Sequence, residues 1–135
     1  MSSRHLSDYR PPLDDIRLAL DAVTDISSIC ELPGYEHVDS ETIDGMLDEL
    51  GRFVAEIIGP VDRIGDQQGC SVEDGVVTMP EEFYSAWDQF VEAGWSSISQ
   101  DPDYGGGGFP GAIQTVMTEM LGAASRSWSM GPMLT

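Results

Sequence analysis

Three groups of residues have types and spacings that chemistry could use, and all lie in the second half of the chain. Gly106, Gly108 and Gly111 spell G-x-G-x-x-G, the spacing with which a strand–turn–helix wraps a pyrophosphate. Asp101, Pro102 and Asp103 followed by glycines open like a calcium loop. Met117, Met120, Met130 and Met133 gather near the C-terminus, and flexible thioethers suit a pocket for a long apolar group as well as they suit a core. The first two patterns fail in context. A dinucleotide fingerprint needs a strand before its glycines, whereas Asp101-Pro102-Asp103-Tyr104 precedes these; Pro110 lacks an N–H, and both aspartates repel a phosphate. Counting from Asp101, the position of the bidentate calcium-binding Glu is Ala112. The methionines are expected in the core.

The remaining reactive side chains are isolated. His5 and His37 have no second ligand at metal-binding spacing. No Ser sits in a G-x-S-x-G elbow. Glu119, beside Met120 and Leu121, reads as a helix-edge carboxylate rather than a base. Cys30 and Cys70 form no C-x-x-C pair and are expected as reduced thiols.

Composition narrows the class further. Of 135 residues, 24 are acidic against six Arg and no Lys, a formal charge of −18. Nucleic acids and anionic membranes, which need Lys and Arg to replace counterions, are excluded as partners. An apolar fraction of 41% supports a packed core, and one domain is expected at this length. No run reaches the ~20 apolar residues of a membrane span, and the polar first ten residues are not a secretory signal. A cytoplasmic location is expected.

The elements that must position these residues follow from periodicity. Residues 1–10 read as a mobile arm. Leu13, Ile16, Leu20 and Val23 predict a helix over roughly 12–24, with Pro11-Pro12 at its entry; residues 25–38 show no steady period. After Asp39-Ser40, a capping pair, apolar residues at 43, 46, 47, 50, 53, 54, 57 and 58 form one stripe. Pro60 predicts a kink or restart, and Gly69 the end. Val76-Val77 offers one candidate strand, too little for a sheet. Pro80 opens a helix striped by Phe83, Trp87, Phe90 and Val91, and Pro110 opens another through Ile113, Val116, Met117, Met120 and Leu121. Between them, Gly105–Gly108 flanked by Trp95, Tyr104 and Phe109 predict a loop pinned by aromatics. The apolar tail Trp128, Met130, Met133, Leu134 leaves a boundary that reads as cut short. The fold class is all-α, four to five antiparallel helices: an arm at 1–10, an extension at 11–38 and an incomplete helical domain at 39–135.

Four stretches in order carry a resemblance: Tyr9-Arg10-Pro11-Pro12-Leu13-Asp14-Asp15-Ile16-Arg17, then P-V-D-R-I-G-D-Q-Q-G over 60–69, F-V-E-A-G-W over 90–95, and D-P-D-Y-G-G-G-G-F-P over 101–110. Together they resemble the N-terminal helical part of the acyl-CoA dehydrogenases, nearest the bacterial subgroup with an extra N-terminal segment that includes long-chain acyl-CoA and methylthiopropionyl-CoA dehydrogenases. The resemblance spans residue 9 to Thr135. It implies a flavin enzyme in which a glutamate removes the α-proton of an acyl-CoA while FAD takes the β-hydride and passes electrons to electron-transfer flavoprotein. The base, the flavin-binding strands and most CoA contacts lie beyond the segment this chain represents, so the chain alone is expected to be inactive and to bind no FAD. It would be completed by the remaining dehydrogenase domains or a complementary subunit. The resemblance also implies that Trp128, Ser129, Met130 and Met133, with Tyr104 and Phe109, wall the distal end of the acyl pocket. A stand-alone, non-catalytic helical interaction module is the competing expectation.

Overall fold

The structure is a computed structural model that describes residues 9–134. His5 and most of the expected N-terminal arm lie outside the described residues; Tyr9, the first residue described, already packs against the core.

One long helical path, residues 40–68, forms the axis of the fold. Asp39 caps it, its Oδ1 accepting from the Thr42 N–H at 2.8 Å. The path begins as α3 (Ser40–Phe53), widens into a π-turn (Val54–Ile58) and continues as α4 (Gly59–Gln68). The wide turn is the physical answer to Pro60. A proline ring collides with the carbonyl four residues back, and shifting the preceding bonds to an i→i+5 pattern, with the Gly59 N–H on the Val54 carbonyl, moves that carbonyl aside. The helix therefore neither breaks nor restarts. The same turn re-aims the stripe: Leu47, Leu50, Val54 and Ile58 are wholly buried, while Phe53 and Ile57, equal members of an ideal 3.6-residue stripe, are only half-buried. Gly69, at φ 64°, ends the path as expected.

The other helices pack around this axis. α1 (Leu13–Ala19) also continues into a π-turn (Leu20–Thr24), which rotates Val23 out to 85% exposure while Leu20 stays buried. Val23 is thus not part of the buried stripe. Arg17 ties α1 to α3 through Asp44 (2.9 Å) and Asp48 (2.6 Å). The expected irregular region contains a short helix α2 (Ile26–Cys30), with Ile26 buried and Asp25 in the left-handed region accepting from the Ser28 hydroxyl. Both cysteines are free thiols, and burial pushes the Cys30 thiol upward, with Asp39 adding to the shift.

Residues 70–79 hold two strands, not one: β1 (Ser71–Glu73) pairs antiparallel with β2 (Val76–Thr78), Val72 opposite Val77. Asp74 and Gly75, both at positive φ, make the primed turn that a two-residue hairpin needs. α5 (Glu81–Glu92) packs on α4, and α6 (Gly111–Ala124) crosses the π-turn of the axis. A single extended residue, Ser125, separates α6 from α7 (Arg126–Met133), and its hydroxyl accepts from the Trp128 N–H. α7 had no periodic signal in the sequence; it packs on α4 and α6. The architecture is all-α with one small hairpin.

Two residues of this frame lend themselves to direct tests. A methyl group at Gly65 would sit 2.6 Å from the Phe83 ring and 3.2 Å from the Ser127 hydroxyl, so the glycine lets α4, α5 and α7 converge. Gly65→Ala is expected to lower the stability by about 1–3 kcal/mol, read as a lower denaturant midpoint at unchanged slope. Asp39 supplies the second test. The hydrogen bonds from Thr42 hold its carboxyl below the ordinary value of 3.8. A depressed carboxyl contributes stability that is complete above the unfolded-state value and is lost as pH falls through the folded-state value. Asp39→Asn keeps the capping oxygen but not the titration. Its thermal midpoint is expected to fall less steeply than the wild type's on acidification below about pH 4.

Candidate functional site between α5, α6 and α7

The aromatic stripe of α5 meets the methionines of α6 and α7 at one end of the bundle. Trp128 is the anchor: 4% exposed, its indole N–H donates to the Phe83 carbonyl at 3.1 Å, and its ring meets Phe90 edge-on at 5.4 Å and Trp87 at 6.4 Å. In front of this cluster lies a hollow of about 460 Å³, lined by Trp87, Phe90, Met117, Leu121, Pro132 and Met133, with Ser96, Gln114 and Thr118 as its polar members. A wider, open depression of about 860 Å³ lies alongside, lined by Gly111, Thr115, Glu119, Gly122, Ala123 and Arg126. Gln114, Thr118 and Met133 line both.

Of the six residues expected to wall an acyl pocket, Met133 lines the apolar hollow directly. Trp128 stands behind its wall, against Trp87 and Phe90. Ser129 is wholly buried, its hydroxyl donating to the Arg126 carbonyl, and Met130 is 42% exposed on the same helix. Tyr104 and Phe109 are not part of this hollow. Tyr104 is 90% exposed and pins nothing; Phe109 is half-buried, edge-on to His37. Trp87, Phe90 and Leu121 were legible only as core stripes, because a helical period marks a core face and a hollow wall alike.

The glycine run is a structural device. Gly106, Gly107, Gly108 and Phe109 donate their N–H groups to the carbonyls of Asp101, Ser97, Gln100 and Ile98 at 2.9–3.0 Å. His37 Nε2 lies 3.0 Å from the Gly107 carbonyl oxygen. Amides already engaged in this way cannot cradle a phosphate, which disposes of the G-x-G-x-x-G spacing and leaves no cradle in this loop for the pyrophosphate of a flavin dinucleotide. Among the described residues no group of three or more His, Cys, Asp or Glu could hold a metal ion. Nor is any described helix long and apolar enough to cross a membrane.

No protein-family model matches the sequence. The chain is 35% identical over 127 residues to the 3-methylmercaptopropionyl-CoA dehydrogenase of Ruegeria pomeroyi; the match takes in 94% of this chain and 22% of that protein. The chain thus resembles part of an acyl-CoA dehydrogenase and spans about a fifth of the length of the relative it matches.

Proposed function

We propose that this chain forms the N-terminal helical part of a flavin-dependent acyl-CoA dehydrogenase, and that its contribution is the wall of the acyl pocket. The observation that carries this reading is the hollow of about 460 Å³ between α5, α6 and α7, in which Trp87, Phe90, Met117, Leu121 and Met133 offer an apolar side to an unbranched chain. Met133 and Leu121 would touch the chain, Trp87 and Phe90 would floor it, and Trp128 would hold that floor from behind. Ser129, buried and bonded to the Arg126 carbonyl, would steady the helix that carries Met130 and Met133. The catalytic base, the flavin site and the CoA contacts would come from polypeptide outside this segment, either its continuation or a complementary subunit. FAD would supply the hydride acceptor there, with electrons leaving to electron-transfer flavoprotein in a cytoplasmic, fatty-acid-type degradation. The chain alone is expected to bind no flavin and to be inactive.

The test is complementation. The chain is co-expressed with the portion of the Ruegeria protein beyond the matched segment. A co-purifying flavin-containing complex that reduces an artificial electron acceptor on addition of an acyl-CoA supports the reading. A flavin-free mixture in which the two parts fail to associate counts against it.

A second reading has one observation in its favour. Val72 and Val77, paired on one face of the hairpin, are 67% and 60% exposed, and exposed apolar surface can mark an interface. A stand-alone interaction module would use this hairpin. Light scattering that finds a monodisperse monomer of the chain alone argues against it.

A further inference from the structure

The ridge between the apolar hollow and the open depression has three members of unequal rigidity. Gln114 is tied down, its side-chain oxygen accepting from the Ser99 hydroxyl. Thr118 is tied down as well, donating to the Gln114 carbonyl at 2.9 Å. Met133 is different: it is 43% exposed on the last turn of α7, and its sulfur takes a hydrogen bond from Arg126 Nη1 at 3.4 Å. A thioether is a weak acceptor on a side chain with three rotatable bonds. The guanidinium that holds it lies over Gly122, where an added methyl group would come within 3.2 Å of Nη1. Arg126 therefore has a seat reserved for it on α6, and from that seat it reaches Met133.

We infer that Met133, latched by Arg126, is the movable end stop of the hollow and sets the length of the acyl chain it accepts. This rests on the acyl-pocket reading above. Latched, the thioether closes the apolar hollow against the depression beyond. Swung away, it joins the two along α6, past Gln114 and Thr118, so that a longer chain continues toward Thr115 and Glu119. The latch is weak enough for a tightly fitting chain to displace it.

Neutral N-acetylcysteamine thioesters of straight-chain acids, butanoyl to tetradecanoyl, provide the probe. They are titrated into the whole chain and followed by tryptophan fluorescence, because Trp87 lines the hollow, and by calorimetry. In the wild type, affinity is expected to rise about fourfold with each buried methylene and then level off at the length where the chain meets the stop. Met133→Ala should move that levelling point outward by about three methylenes, one for each side-chain heavy atom removed beyond Cβ. Met133→Phe should move it inward. Circular dichroism identifies any variant that has not folded, and either variant alone suffices. A levelling point that stays in place in folded Met133→Ala or Met133→Phe overturns the end stop while leaving the acyl pocket intact. Absence of thioester binding in the wild type, both alone and in the complex with the complementing polypeptide, overturns the acyl pocket itself, and the stop with it.

Discussion

Replacing Trp128 by alanine is expected to lower the stability of the bundle by about 3–5 kcal/mol, the usual cost of emptying an aromatic site in a core that cannot fully collapse. Three losses combine there. The ring leaves the edge-on contact with Phe90 and the tilted contact with Trp87. The cavity opens at the junction of α5 and α7, where Gly65 already brings α4 as close as backbone permits. The Phe83 carbonyl loses the indole donor at 3.1 Å. Trp128→Phe is the intermediate case: it keeps one aromatic ring against Phe90 and Trp87 while removing the indole donor and part of the ring volume. A cost of about 1–3 kcal/mol is expected for it. Urea or guanidinium midpoints of the two variants, compared at equal slope, provide the measurement. If Trp128→Ala costs no more than Trp128→Phe, the ring contacts are not what holds α7 in place. Because Trp128 backs the floor of the hollow, the alanine variant should also lose thioester binding while still folded in mild conditions.

The second large effect is expected at Gly106. A methyl group there would lie 2.1 Å from the carbonyl oxygen of Gln100, which is backbone and cannot swing aside. Gly106→Ala must therefore pry residues 106–109 away from residues 97–101, breaking a set of backbone hydrogen bonds of 2.9–3.0 Å. A loss of about 3 kcal/mol is expected, at the upper end of overpacking costs because no side-chain rotamer can relieve the contact. Gly111 is the matched control. It opens α6, has open space where its Cβ would be, and has no positive φ. Gly111→Ala is expected to be neutral or to stabilise by up to about 1 kcal/mol through helix propensity and a less flexible unfolded chain. Thermal midpoints distinguish the two; equal effects would show that the close approach at Gly106 is not what the loop depends on. Hydrogen exchange at the amides of residues 107–109 should accelerate in Gly106→Ala alone.

The helices that were legible in the sequence are those whose apolar period is long. Ile43 to Ile58, Phe83 to Phe90 and Ile113 to Leu121 each repeat their stripe over several turns, and little besides a buried helix face sustains a period of that length. What escaped is short or off-period. α2 is five residues long and its only buried member is Ile26. β1, the first strand of the hairpin, is three residues, all exposed, so no alternation was available to read. α7 carries Pro132 inside it and buries only Trp128 and Ser129. The π-turn at Val54–Ile58 was not legible, because a 3.6-residue template takes Phe53 and Ile57 together with Val54 and Ile58 as one stripe. The site was less legible than the fold. Met133 and Trp128 were singled out through a resemblance, whereas Arg126, Gln114 and Thr118 are ordinary polar helix residues whose convergence exists only in three dimensions.

The widened turn at Val54–Ile58 has a consequence for how the chain tolerates a change in its length. Each residue of an α-helix advances the azimuth by about 100°, so the extra residue held in that turn sets the phase of everything after it. Deleting Ala55 would let the path close into an α-helix with α4 kept in phase, because the widened turn holds the one residue removed. Deleting a residue of α4 ahead of Gly65, such as Asp62, has no such turn to absorb it and would bring everything after it in about 100° out of phase. Gly65 would no longer face Phe83 and Ser127, and a larger side chain would take its place against the ring. That one-residue deletion, invisible in composition and harmless to helix propensity, would unseat α5 and α7 together, and with them the hollow they enclose.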